Sequence, residues 1–272
     1  MPFIETRDGT RLAYEDYGTG TPIVFVAGWS LGADMWEYQV PFFLRHGYRC
    51  VLVDRRGHGR SDRASTGYDV DTLAEDLADL ITHLDLRGAT LVGHSFGGVE
   101  IAHYLDRHPS GRVDRAVFVA ACLPSMRRSA ANPDGLGDEV IEATLASLRA
   151  DRPRWLADRG QSYFATHLGN TVSPALIDET VRQCLTASPV AAIQVQEANL
   201  AASHESELDR LDLPTLVVHG DADASAPVDL TGRRTAKALP GCVYREYPGA
   251  GHGLYVTHAA ALNGDILDFL RS

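Results

Sequence analysis

Val92-Gly93-His94-Ser95-Phe96-Gly97-Gly98 sets one serine in a frame of small residues, with an apolar run before it and a helical pattern after it. The preceding Ala89-Thr90-Leu91-Val92 has strand character, and the apolar residues of Val99-Glu100-Ile101-Ala102-His103-Tyr104-Leu105 recur at helical spacing. Ser95 therefore stands on a strand-to-helix turn, the arrangement of a nucleophile elbow. Glycines at 93 and 97 let the backbone turn sharply without side-chain clash. The hydroxyl is left at a helix N-terminus, where the dipole favours developing negative charge. Taken alone, the pattern also describes an ordinary glycine-rich turn, and the rest of the chain decides between the two.

Working outward, Arg11–Tyr17 alternates as an exposed strand does, and Pro22–Ala27 is a continuous apolar run of the kind buried in a sheet. A helical stretch over Met35–Arg45 leads to a further strand, Tyr48–Asp54, and to the loop Arg55–Asp62. Leu73, Leu77, Leu80, Ile81 and Leu84 form one stripe of an amphipathic helix, and Arg115–Ala121 is strand-like after the elbow helix. This strand–helix alternation predicts an α/β fold with a mostly parallel, doubly wound sheet covered on both faces.

The alternation then breaks. Ser173-Pro174 and Ser188-Pro189 are helix-start pairs, and Val140, Ile141, Thr144, Leu145 and Leu148 make a helical stripe. Sheet texture resumes with strands at Leu213–Gly220 and Val243–Tyr247, a helix over Asp229–Ala238 and a last helix over Ala259–Leu270. The expected organisation is an α/β core formed by residues 1–121 and 213–272, interrupted by a helical lid (cap) over 122–212.

Composition narrows the function classes. A chain of 272 residues with 44% hydrophobic content can bury a substantial core. Its formal charge of −11, spread along the chain, argues against nucleic-acid or anionic-membrane partners. No run is long enough to cross a bilayer, and the N-terminus lacks a positive region followed by an apolar stretch, so a cytoplasmic protein is expected. Cys50, Cys122, Cys184 and Cys242 are widely spaced with no C-x-x-C pattern, and Cys50 and Cys122 read as small buried hydrophobes. Oligomeric state leaves no mark in the sequence.

A serine at its ordinary pKa needs a base and an orienting acid. Asp221-Ala222-Asp223 follows the strand ending at Gly220, and Gly251-His252-Gly253 follows the strand ending at Tyr247. Ser, Asp and His then come in the chain order of the α/β hydrolases, each just past a strand's carboxyl end, where ligands bind in open α/β sheets.

With these residues in place the chain resembles an α/β-hydrolase, and more narrowly the bacterial cofactor-free haloperoxidase (perhydrolase) and aryl esterase group. The resemblance rests on Ala27-Gly28-Trp29, Asp54-Arg55-Arg56-Gly57-His58-Gly59-Arg60-Ser61-Asp62, the elbow, His219-Gly220-Asp221-Ala222-Asp223, and Gly251-His252-Gly253 with Thr257-His258. It implies Ser95 as nucleophile, His252 as general base and then acid, Asp223 as its partner, and the backbone N–H groups of Trp29 and Phe96 as the oxyanion hole. The group's acid stands three residues after a glycine and four before a proline, as Asp223 does relative to Gly220 and Pro227; Asp221 becomes a turn residue.

The activity so implied is hydrolysis of small carboxylic esters through an acyl-enzyme, extending to perhydrolysis, with no cofactor. A lactonase, a non-hydrolytic lyase or oxygenase, and a receptor for a small ligand are the alternatives the fold offers. The chain departs from the group where Ala27 replaces a histidine and Ser30 follows Trp29, which alters the oxyanion loop.

Several other features are read as structural. Asp221-x-Asp223-x-Ser225 opens like a calcium loop, but Ala226 and Gly232 stand where glycine and glutamate are needed. The eleven histidines contain no ligand motif, so no metal is expected, and His94, His103, His108 and His219 are expected to pack or face solvent. The loop 54–62 lacks the phosphate-binding pattern and is expected to be scaffolding. Met126, Trp155, Tyr163 and Phe164 fit either a pocket lining or ordinary core.

Overall fold

The computed structural model describes residues 2–109, 111–201 and 203–272. Its strands are β1 (Phe3–Glu5), β2 (Arg11–Tyr17), β3 (Pro22–Val26), β4 (Arg49–Val53), β5 (Ala89–His94), β6 (Val113–Val119), β7 (Thr215–Gly220) and β8 (Val243–Tyr247). They form one sheet in the order β1-β2-β4-β3-β5-β6-β7-β8. Pairing is parallel from β4 to β8, and antiparallel where β1 meets β2 and β2 meets β4.

The central strands are apolar on both faces because both faces are covered. In β3, Ile23 and Phe25 pack into one core and Val24 and Val26 into the other. The first core is closed by α1 (Val40–Arg45), through Phe43, and by the C-terminal helix through Leu262, Ile266 and Phe269. The second is closed by α2 (Val70–His83) and α3 (Phe96–Arg107). α2 buries the stripe Leu73, Leu77, Leu80 and Ile81, and its first turn is capped by Asp69, which accepts from the Thr72 N–H at 2.9 Å.

Between β6 and β7 the chain is helical, with no strand among the described residues: α4 (Asp138–Ala150), α5 (Arg152–Ala157), α6 (Gly160–Tyr163), α7 (Pro174–Thr186), α8 (Pro189–Ala201) and α9 (Glu205–Asp209). Ser173 and Ser188 each accept from a first-turn N–H, as their Ser-Pro pairs predicted. The chain closes with α10 (Gly232–Ala238), α11 (Leu254–Thr257) and α12 (Ala259–Arg271). No helix among the described residues is long and apolar enough to cross a membrane.

Local boundaries shift by a residue or two at several strand ends, and three differences have a clear cause. The single helix expected over 35–45 is a 3-10 turn, Ala33–Trp36, followed by α1, because Pro41 cannot donate within a continuous helix and instead sits at the start of a new one. α10 begins at Gly232, since Asp229–Thr231 is held in a turn in which Thr231 Oγ1 donates to the Pro227 carbonyl at 2.8 Å. β1 is an additional edge strand of three residues, too short to show a period.

The topology places the site. The chain steps outward from β3 to β4 on one side and to β5 on the other, so the crevice at their carboxyl ends is the switch point of the sheet.

Candidate active site

Ser95 follows β5 directly with φ +54° and ψ −121°, a conformation that L side chains rarely hold. The surroundings enforce it. The Ser95 N–H donates to the Val119 carbonyl at 3.0 Å, and its own carbonyl accepts from Gly98 at 3.0 Å and Cys122 at 3.3 Å. A Cβ on Gly97 would lie 2.4 Å from the Val26 carbonyl oxygen, and one on Gly93 2.6 Å from that of Gly97. The two glycines are thus needed for close backbone approach, while the left-handed φ falls on the serine itself.

Loops after β7 and β8 bring the two partners to it. His252 Nε2 lies 2.9 Å from Ser95 Oγ, and His252 Nδ1 lies 2.7 Å from Asp223 Oδ2. An ionised carboxylate only accepts, so Nδ1 carries the proton and Nε2 presents its lone pair to the serine hydroxyl. Asp223 is buried, and Oδ1 accepts from the backbone N–H groups of Ser225 and Ala226, each at 2.8 Å. His219 Nε2 adds a contact at 3.2 Å to Oδ2. Burial alone would raise the Asp223 pKa, but His252 and His219 outweigh it and hold the carboxyl well below the usual carboxylate range. Asp221 is exposed and accepts from the Gly249 N–H at 2.6 Å, in the turn position expected of it.

His94 braces this arrangement from below. Its Nε2–H donates to the His252 carbonyl at 3.0 Å, and the two rings are 4.7 Å apart. Burial drives its pKa to about 3, so it stays neutral. Cys122 is more than the small hydrophobe expected: its Sγ lies 3.4 Å from Ser95 Oγ, and burial pushes the thiol up to about 11.

Trp29 follows β3 and Phe96 opens α3; neither backbone N–H has a backbone acceptor among the described residues. The loop that leads to Trp29 is clamped by Arg55, which donates to the Ala27 carbonyl at 2.7 Å and the Gly28 carbonyl at 3.3 Å and lies over the Phe96 ring. Arg55 is in turn held by a bidentate buried pair with Glu100, whose Nε–Oε1 arm is 2.6 Å. Sequence reading took the 54–62 loop as scaffolding but missed Glu100, because a glutamate one turn into a helix gives no sign that it faces inward.

Ser95, His252 and Cys122 line a cavity of about 320 Å³. Met126, Trp155, Tyr163 and Phe164 all line it from the helical side, and Met126 and Phe164 are also buried, so pocket and core readings both hold for them. The Trp29 indole N–H donates to the Ala192 carbonyl in α8 at 2.8 Å, and its ring meets Trp155 edge-on at 5.5 Å. Of the remaining histidines, His219 is buried and His103 and His108 lie against the carboxylates of Asp71 and Glu75.

Comparison with known proteins agrees with this architecture. The profile of the alpha/beta hydrolase fold matches residues 21–259. A non-heme chloroperoxidase of Streptomyces lividans is 43% identical over 276 residues, covering 100% of both chains. A bifunctional esterase/perhydrolase of Acinetobacter calcoaceticus is 35% identical, again over 100% of both. An esterase of Exiguobacterium antarcticum superimposes with a TM-score of 0.94 at 29% identity, covering 99% of each chain. With a family match over most of the chain and full-length relatives in sequence and structure, this chain belongs to the α/β-hydrolase fold family, among relatives named as non-haem haloperoxidases and esterases.

Proposed function

We propose that this protein is a serine-dependent carboxylic ester hydrolase acting on small esters, with perhydrolysis as a second outcome of the same acyl-enzyme. The observation that carries the reading is the continuous relay from Asp223 Oδ2 through His252 to Ser95 Oγ, with links of 2.7 and 2.9 Å, opening on an apolar-walled cavity. Ser95 Oγ attacks the acyl carbon while His252 Nε2 takes its proton, and Asp223 stabilises the imidazolium that results. The Trp29 and Phe96 amides receive the oxyanion, a role worth about 3–4 kcal/mol per donor in acyl transfer.

Collapse of the intermediate expels the alcohol, which takes the proton from His252 and leaves Ser95 acylated. Water then attacks, returns a proton through His252 and releases the acid. Hydrogen peroxide in place of water gives the peracid by the same bond changes. The names of the chloroperoxidase and esterase/perhydrolase relatives favour this second outcome. A lactone is a cyclic ester and follows the same steps, its alcohol remaining attached to the product. An intact relay on a strained serine favours nucleophilic chemistry over the lyase, oxygenase and receptor alternatives.

In this reading residues 122–212 act as a lid that selects the acyl and alcohol groups, and the 1–121 and 213–272 segments form the catalytic core. A cytoplasmic setting accords with four free cysteines.

The test is hydrolysis of p-nitrophenyl acetate and butyrate by wild type and Ser95→Ala, with peracid formation followed in hydrogen peroxide. Loss of both activities by about 10⁴-fold or more is expected from removal of a triad nucleophile. Equal rates in the two proteins would overturn the reading.

A further inference from the structure

We propose that His103, His204 and Glu207 form a binding site for one first-row divalent cation of the zinc type, separate from the catalytic cavity and independent of the activity proposed above. His103 lies on α3 eight residues beyond Ser95, about 12 Å along the helix axis at the α-helical rise. His204 is the residue before α9, and Glu207 is within it. Their ligand atoms all lie within 4.8 Å of one another. Glu207 Oε1 is 3.2 Å from His103 Nδ1 and 3.5 Å from His204 Nδ1. Two ligands of a tetrahedral zinc at ordinary bond lengths stand about 3.4 Å apart, so both edges already have the required length.

Two further observations point to a cation. His204 is only 4% exposed; its Nε2 has no partner among the described residues, and its Nδ1 meets only the long 3.5 Å contact with Glu207 Oε1. Coordination at Nδ1 would replace a long contact of a buried imidazole by a full bond. The candidate ligands are also held from behind: Asp71 Oδ1 lies 2.5 Å from His103 Nε2, and Ser206 Oγ donates to Glu207 Oε2 at 2.9 Å. A ligating histidine characteristically gives its other ring N–H to a carboxylate in this way. Both ring nitrogens of His103 face carboxylates, Nε2 toward Asp71 and Nδ1 toward Glu207, so a cation bound at Nδ1 would take the place of a proton there. A single proton can bridge two of the three converging atoms, whereas a metal ion engages all of them.

Two imidazoles and one carboxylate suit a borderline cation; calcium and magnesium prefer all-oxygen sites. Arg107 donates to Asp71 and Glu75 at the rim, leaving Glu207 free of an arginine partner among the described residues. The motif reading expected no metal because His103 and Glu207 are 104 residues apart in sequence. An ion here ties α9, the last helix before β7, to the elbow helix.

The test uses tag-free protein stripped with chelator. Zinc titration by calorimetry should give one site per chain, zinc should raise the thermal midpoint by several degrees, and cobalt should give tetrahedral visible bands. His204→Gln and Glu207→Gln should each weaken binding by at least about 10-fold while leaving ester hydrolysis unchanged, and Asp71→Asn should weaken it by about 10-fold. If His204→Gln does not fold, Glu207→Gln and His103→Gln decide the matter. No stoichiometric binding with an unmoved midpoint, or binding equal in wild type and variants, would overturn the site.

Discussion

The two walls of the catalytic cavity are built by different means. The sheet side presents strand ends whose key side chains are tied by several bonds each: Asp223 takes two backbone N–H groups and two imidazoles, and Arg55 spans Glu100 and two carbonyls. The helical side presents Met126, Trp155, Tyr163 and Phe164, whose contribution is volume and ring geometry. Chemistry needs fixed distances, which hydrogen bonds to strand ends provide. Selectivity needs only shape, which side-chain volume provides and substitution changes easily.

The largest expected effect lies on the sheet side. Asp223→Asn should lower kcat for p-nitrophenyl acetate by about 10⁴-fold, through loss of the correct imidazole tautomer. Asp221→Asn, two residues away and with its side chain bonded among the described residues only to the Gly249 N–H, should change it by no more than about twofold. Comparable losses in both variants would break the assignment of the acid.

A second expectation concerns acid stability. His58 and His94 are buried on the loop end of the sheet, and burial lowers each from the ordinary 6.5 to about 3. Between these values the unfolded chain binds more protons than the folded one. The stability they contribute is therefore complete above about pH 6.5 and is lost as pH falls toward 3. On lowering the pH from 7 to 5 the thermal midpoint should drop by an amount equivalent to about 4 kcal/mol, about 2 from each histidine, and His58→Gln should flatten the slope by about half. Parallel pH profiles for wild type and variant would rule out His58 as a source.

The smallest effect sharpens the comparison from the helical side. Trp155→Ala should shift the ratio of kcat/KM for butyrate over acetate by about 10-fold, with little change in kcat for acetate. A uniform fall for both esters would mean that Trp155, packed against Trp29 at 5.5 Å, holds the loop after β3 in place and does not select the acyl chain.

The strand-to-helix turn at Ser95, the buried strands around it, the break in alternation after β6, and the placing of Asp223 and His252 just past strand ends were all legible in the sequence. Each is a local matter: apolar periodicity, glycine and proline positions, and chain order depend on neighbours within a few residues. Tertiary structure alone decided that Glu100 faces inward to Arg55, that Cys122 touches the serine, that proline splits the 33–45 stretch into two helical pieces, and that His204 meets His103. Those facts depend on how elements distant in the chain stack upon one another. A side chain carries no local signal of what will lie against it once the strands have ordered and the helices have closed over them.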